Sequence, residues 1–285
     1  MKLVSCIQTA AIAIALTNLP AVRGFQAAST FKSFTADQEI YTNCEPPKPC
    51  TDPQTKVITS RRADGVLSVT TWEKSDSKFP HSIVILQGNQ RIELRPAIKA
   101  KMTFGIPEAS TAKVEGSQLD PATGCTARKD KAELFMKSPN VKGEITAEDS
   151  VETGDGVKIK AARKTIETPI STSKSWYAPE YACFEIKTEF VRKAVRAAAG
   201  QTTIKLTRSI SSSIPDEAAF AVPADYVEMK PTELRKAYHF YTGKLKGTSD
   251  ADLQSGWNAM IENNRITFEQ DDKRYLESRT AAGLK

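Results

Sequence analysis

Between residues 34 and 104, and again from 144 to 210, side chains alternate between apolar and polar with a period of two. That period places successive side chains on opposite faces of an extended chain, and it excludes an all-helical fold, whose stripe would repeat every three to four residues. Phe34, Ala36, Gln38 and Ile40 share one face of the first run. Val57–Thr59 leads through Ala63-Asp64-Gly65 into Val66–Trp72, and Asp-Gly between β-branched runs predicts a two-residue hairpin with positive φ at both positions. Ser82–Leu86, a turn at Gly88-Asn89 and Arg91–Leu94 form the next pair, which Pro96 ends because it has no N–H to give a ladder. The second half repeats the grammar. Glu144–Glu148 turns at Gly154-Asp155-Gly156 into Val157–Thr168; Ser173–Tyr177, Ala182–Val191 and Thr202–Ile210 follow.

These segments predict a mainly β (α+β) protein: a curved antiparallel sheet or half-barrel of about 8–10 strands with one wet face. Residues 105–143 are dominated by Gly, Pro, Ser and charge and read as an irregular insertion, with a short helical candidate at Asp130–Met136. After Tyr226 the period changes to 3.6. Pro231 suits a first helical turn, with Leu234, Ala237, Tyr238 and Tyr241 on one side. Ser249 with Asp252 predicts a second helix start, whose stripe is Leu253, Trp257, Met260 and Ile261. A last charged helix is expected over about Gln270–Ala282. The expected organisation is a leader at 1–24, an antiparallel β domain at 25–229 with the insertion at about 105–143, and a helical appendage at 230–285.

The leader follows from Lys2 and the uncharged apolar run Leu3–Leu16, ended by Asn18 and Pro20 and followed by small residues. At about 14 residues the run is shorter than the ~20 that cross a bilayer, so it reads as a cleaved signal peptide, with a retained anchor as the competing reading. The protein is expected to be secreted or periplasmic, without stable membrane insertion after cleavage. Removing Lys2 and Arg23 with the leader lowers the formal charge from +6 to +4, with no basic block, so no nucleic-acid partner is expected.

Four cysteines then remain, Cys44, Cys50, Cys125 and Cys183, and an even number in an exported chain suggests disulfides with three possible connectivities. Glu-Pro-Pro-Lys-Pro between Cys44 and Cys50 suits a local bridge, which would leave Cys125 and Cys183 for a long-range one. A zinc site would want CxxC-like pairs or nearby histidines, and the chain has only His81 and His239. No metal or other cofactor is expected.

From 144 to 226 the motifs gather. Trp176-Tyr177-Ala178-Pro179-Glu180 precedes the strand Phe184–Val191, and Pro215-Asp216 precedes Phe220-Ala221-Val222-Pro223-Ala224-Asp225-Tyr226. This stretch resembles a group of uncharacterised secreted bacterial proteins with a W-Y-(S/A)-P-E … F-x-V-P-x-x-Y pattern. More remotely, the layout is similar to envelope lipoprotein carriers, in which a curved sheet wraps helices and an apolar cavity. The resemblance implies a non-enzymatic protein holding an apolar or amphiphilic small molecule or lipid. No carrier contact residue maps onto this sequence. Trp72, Trp176 and Tyr177 are the candidate ligand-binding residues, since large side chains would line such a concavity; the plainer reading makes them sheet core beneath the helices. The alternative function is an envelope interaction or scaffold module whose helical C-terminus docks on a partner protein of unknown identity.

No catalytic residue is assigned. Ser171-Thr172-Ser173-Lys174 spells S-x-x-K, but that chemistry needs the serine on a helix N-terminus, and the flanking residues read as a strand. Glu148, Asp149, Glu152 and Asp155 around Gly154 and Gly156 lack the spacing of a calcium loop.

Overall fold

The computed structural model describes residues 32–42, 52–73, 78–106, 142–193 and 200–284, apart from the side chains of 144–149. Twelve strands among them form one curved, unclosed sheet. They are β1 (Phe34–Thr42), β2 (Thr55–Arg61), β3 (Leu67–Glu73), β4 (Ser82–Gln87), β5 (Gln90–Arg95), β6 (Ala100–Gly105), β7 (Lys142–Glu152), β8 (Lys158–Glu167), β9 (Ser171–Ala178), β10 (Phe184–Arg192), β11 (Gln201–Ser211) and β12 (Val227–Glu228). The spatial order is 12-6-5-4-3-2-1-11-10-9-8-7. Two meanders therefore meet at β1, which pairs with β2 on one side and β11 on the other. Two helices follow, α1 (Pro231–Leu245) and α2 (Asp250–Ala281).

The strand count exceeds expectation because Pro96 interrupts the sheet without ending it. Pro96–Ile98 makes one 3-10 turn, Lys99 takes a left-handed conformation (φ 47°), and the chain returns as β6 beside β5. β12 was hidden by its length: two residues pair with β6, in the one parallel contact of the sheet.

The turns follow their glycines. Gly88 (φ 56°) opens a two-residue turn between Gln87 and Gln90, as a glycine at the first turn position allows. The Asp64-Gly65 turn differs from expectation, since only Gly65 has positive φ (93°). Gly65 N–H donates to the Arg62 carbonyl and Arg62 N–H to Val66, a three-residue loop with glycine in the last place. Thr153–Val157 has the same pattern with Gly156 at φ 83°.

The sheet is buried on one face along β1, where Phe34, Ala36 and Gln38 are sealed, as their shared parity requires. In β4 the consecutive residues Val84, Ile85 and Leu86 are all buried, so both faces are covered there. The curl is visible at the far side. The β7–β8 turn reaches over to β11, where Gly154 N–H donates to the Thr207 carbonyl (3.0 Å) and Asp155 N–H to Arg208 (2.8 Å).

The helices form a hairpin that docks on β6. Pro231 begins α1, and the Ser249 hydroxyl caps α2 by accepting from Asp252 N–H at 3.2 Å. After Ser249 the helical span runs in two pieces, as expected, which meet at a kink at Asn264 (φ −125°, ψ 16°). The Asn264 side-chain amide donates to the Met260 carbonyl at 2.9 Å and closes the end of the first piece, and beyond it the chain bends enough to bring Phe268 onto Trp257. Leu253 and Trp257 turn inward between the helices, with Trp257 stacked on Phe268 at 5.9 Å. Farther along, Tyr275 packs edge-on against Phe104 of β6 at 5.2 Å. The Asp130–Met136 helix and most of the 105–143 insertion lie outside the described residues.

Candidate binding surface

Directly opposed residues of an antiparallel ladder point to the same face. The register therefore runs one side-chain row across seven strands: Trp72 faces Lys56, Lys56 faces Glu39, Glu39 faces Leu206, Leu206 faces Lys187, Lys187 faces Trp176, and Trp176 faces Arg163. Two of the three candidate aromatics thus share a face. Five strand spacings separate them, roughly 24 Å along the sheet at ~4.8 Å each. No sequence periodicity reveals such a row, because it exists only once β1 has paired with β11.

Tyr177 lies on the other side of the pleat from its neighbour Trp176, opposite Ala162 in β8. The structure does not bring the three candidates together. Nor are the tryptophans core beneath the helices, because α2 packs on the face of β6 that carries Met102 and Phe104, and unbroken alternation from β6 to β3 puts Trp72 on the opposite face. Trp72 is half-buried. Trp176 is 6% exposed, in a cluster with Ile159, Ala161 and Ala178, and the Lys187 ammonium sits 4.7 Å from its ring centre.

Charge along the row is paired. Lys56 meets Asp37 at 2.9 Å and Lys187 meets Glu189 at 2.8 Å. Glu39 accepts from Arg208 and from the Tyr41 hydroxyl (2.5 Å). Burial works to raise the Glu39 carboxyl, but these donors hold it below the usual carboxylate range. The outcome is an amphiphilic strip, aromatic at two points and ionic between them.

A second polar group was missed in the sequence. Gln38, 1% exposed, donates to the Thr207 hydroxyl (3.0 Å) and the Glu185 carbonyl (2.8 Å), and Thr207 donates to the Ile186 carbonyl (2.6 Å). These bonds fall at the irregularities where β11 slips against β1 and β10 slips against β9, and they satisfy carbonyls that the ladder leaves open. Beside them Lys205 meets Glu185 at 2.9 Å. Burial would raise that carboxyl, yet Lys205 holds it low.

The helix hairpin is tied by Glu228 of β12. It accepts from Thr103 N–H (2.7 Å), the Tyr275 hydroxyl (2.5 Å) and the Arg279 guanidinium (3.0 Å). Burial, then the bond to Glu228, pushes the Tyr275 hydroxyl up to about 12. An open groove runs along α2 past Leu276 and Ala281 between Glu269, Lys273 and Glu277. Ile266 (64% exposed) and Leu276 (46%) are bare on this helix.

Of the remaining candidates, Ser171 and Lys174 belong to strand β9, on opposite sides of its pleat, and share no helix turn. Asp155 accepts from the Thr153 hydroxyl at 2.5 Å inside the hairpin turn. Cys44, Cys50 and Cys125 lie outside the described residues; Cys183 precedes β10 with φ 58°. Among the described residues no helix is long and apolar enough to cross a membrane.

No protein-family model matches the chain, and no curated protein does. Solved structures give remote matches. The Pseudomonas aeruginosa MucA/MucB complex is 10% identical over 70% of this chain and 58% of that one, with a TM-score of 0.33. A LolA superfamily protein from Nitrosomonas europaea is 10% identical over 67% of this chain and 90% of its own, with a TM-score of 0.27. The chain spans little more than half the length of the MucB structures it matches.

Proposed function

We propose that this is an exported, non-enzymatic protein that binds an apolar or amphiphilic molecule across its curved sheet. The observation that carries the reading is the row from Trp72 to Trp176. Its half-buried Trp72 ring offers apolar contact at one end, and the ion pairs of Lys56 with Asp37 and Lys187 with Glu189 present a polar stretch to a head group along the row. Tyr177 belongs to the other face and is not part of this strip.

The three tryptophans make the test direct, because Trp257 is 2% exposed inside the helix hairpin and serves as a shielded reference. Titration with a brominated fatty acid is expected to quench the wild-type emission. Trp72→Phe should lose most of that quenching and Trp257→Phe almost none. Equal quenching in all three proteins, or none in any, would remove the reading.

A second reading is favoured by the exposed Ile266 and Leu276 beside the α2 groove: the helical C-terminus docks on a partner protein. Leu253 and Trp257, expected to supply that stripe, are internal and do not contribute. Leu276→Lys would abolish such docking and leave fatty-acid quenching unchanged. Export carries one further expectation, that Cys44, Cys50, Cys125 and Cys183 are paired. Thiol titration of the unreduced, denatured mature protein should then find no free group, and four free thiols would place the chain in a reducing compartment.

A further inference from the structure

At one end of β3, β4 and β5 a small group of ionisable side chains closes the gap between the sheet and α1. Glu73 ends β3, His81 stands just before β4, Arg95 ends β5, and Tyr238 reaches down from α1. His81 Nδ1 lies 3.0 Å from the Tyr238 hydroxyl and 3.3 Å from Glu73 Oε1, and the two rings meet edge-on at 5.5 Å. Arg95 donates to the His81 carbonyl at 3.2 Å, so the backbone of His81 is held from below. The His81 side chain is 13% exposed, and Glu73 Oε1 is sealed from water without a hydrogen-bond donor among the described residues.

Two partners lie within reach of one nitrogen, and the ring tautomer sets which of them it serves. A neutral imidazole whose hydrogen is on Nε2 has a single lone pair on Nδ1, which accepts the Tyr238 hydroxyl. Glu73 Oε1 then faces that lone pair, and both atoms are electron-rich. A proton taken from solvent settles between Oε1 and Nδ1. Whichever atom carries it, the lone pair that Tyr238 was using is consumed.

We propose that His81, Glu73 and Tyr238 form a proton-operated latch that fastens helix α1 to the sheet at neutral pH and loosens it on acidification. Among the described residues, the other titratable or charged groups facing it are Arg95 from β5 and Tyr241 from α1. Burial, with Arg95 adding to it, lowers the His81 imidazole from 6.5 to about 4, and burial raises the Glu73 carboxyl. The signs oppose each other. The folded protein lacks the proton that an unfolded histidine binds below 6.5, so stability falls as pH drops from 6.5 towards 4. Glu73 binds a proton more readily folded than unfolded, which returns part of that loss above its ordinary value of 4.5.

With only two histidines, the imidazole NMR spectrum holds two sets of signals, and His81→Gln assigns them. The His81 signal is expected to titrate near pH 4. Amide exchange of residues 231–245, corrected for intrinsic rates and referenced to β10 and β11, should lose about ten-fold in protection between pH 7 and pH 4, the scale of one hydrogen bond. Tyr238→Phe should start with that lower protection at pH 7 and stay flat. Glu73→Gln, which keeps the size and removes the proton acceptor, should shrink the response. A His81 midpoint near 6.5, wild-type protection unchanged between the two pH values, or a Tyr238→Phe protein with the wild-type response would each overturn the latch.

Discussion

Gly105→Ala is expected to lower the stability of this protein by about 3 kcal/mol, as overpacking against a rigid neighbour does. Gly105 ends β6 where the last turns of α2 cross it, and a methyl group there would overlap the Ser278 carbonyl oxygen and the Ala282 side chain. A backbone oxygen inside a helix cannot swing aside as a lysine tip would. The helix must lift, and in lifting it pulls Tyr275 from Phe104 and both Tyr275 and Arg279 from Glu228. Thermal unfolding followed by the helical circular dichroism signal should show the midpoint falling by roughly 6–12 °C for a chain of this size. An unchanged midpoint would mean that α2 does not rest on β6 as described.

Phe34→Ala should be at least as damaging, costing about 3–5 kcal/mol. Phe34 is 1% exposed and meets Phe184 at 4.9 Å and Tyr181 at 5.4 Å, so its ring joins the first strand to the turn before β10. The cavity it leaves lies among residues of both meanders, including Ala36, Ile186 and Ala178. Urea unfolding should report the loss as an earlier midpoint. Amide exchange should show β2 and β10 losing protection together. A loss below about 1 kcal/mol, or a loss confined to one meander, would contradict this core.

The sheet was legible because its signals are local. Alternation in Phe34–Ile40 and the glycines at 65, 88 and 156 act over a few residues, and each strand they predicted is present. β6 was not, because Pro96 is a strong stop and the rescue by Lys99 in a left-handed turn uses a residue type that rarely adopts it. β12 has only two residues and no periodicity to read. The break expected between Ile261 and Gln270 is present at Asn264, where the backbone leaves helical geometry.

The candidate surface was only partly legible. Bulk alone singled out Trp72, Trp176 and Tyr177, but which of them share a face depends on pairings between strands up to about 170 residues apart, such as Glu39 with Leu206. Adjacent Trp176 and Tyr177 had to diverge by the parity of a strand, which the sequence already held. His81 and Tyr238 lie 157 residues apart, and nothing in either local sequence announces the other.

The central place of β1 has a consequence for how the chain matures. Thr35 pairs with Ser211, so the seam between the two meanders cannot be sewn until some 176 further residues have left the ribosome. Each meander can wind up early from its own hairpins, but β1 and β11 then wait with raw, hydrogen-bond-hungry flanks that any stray β segment could occupy. Contacts of such long range make for slow folding, on the scale of milliseconds to seconds even in small domains. A polypeptide wired this way holds its sheet in two separate halves for most of its synthesis, and the arrival of β11 decides when they join.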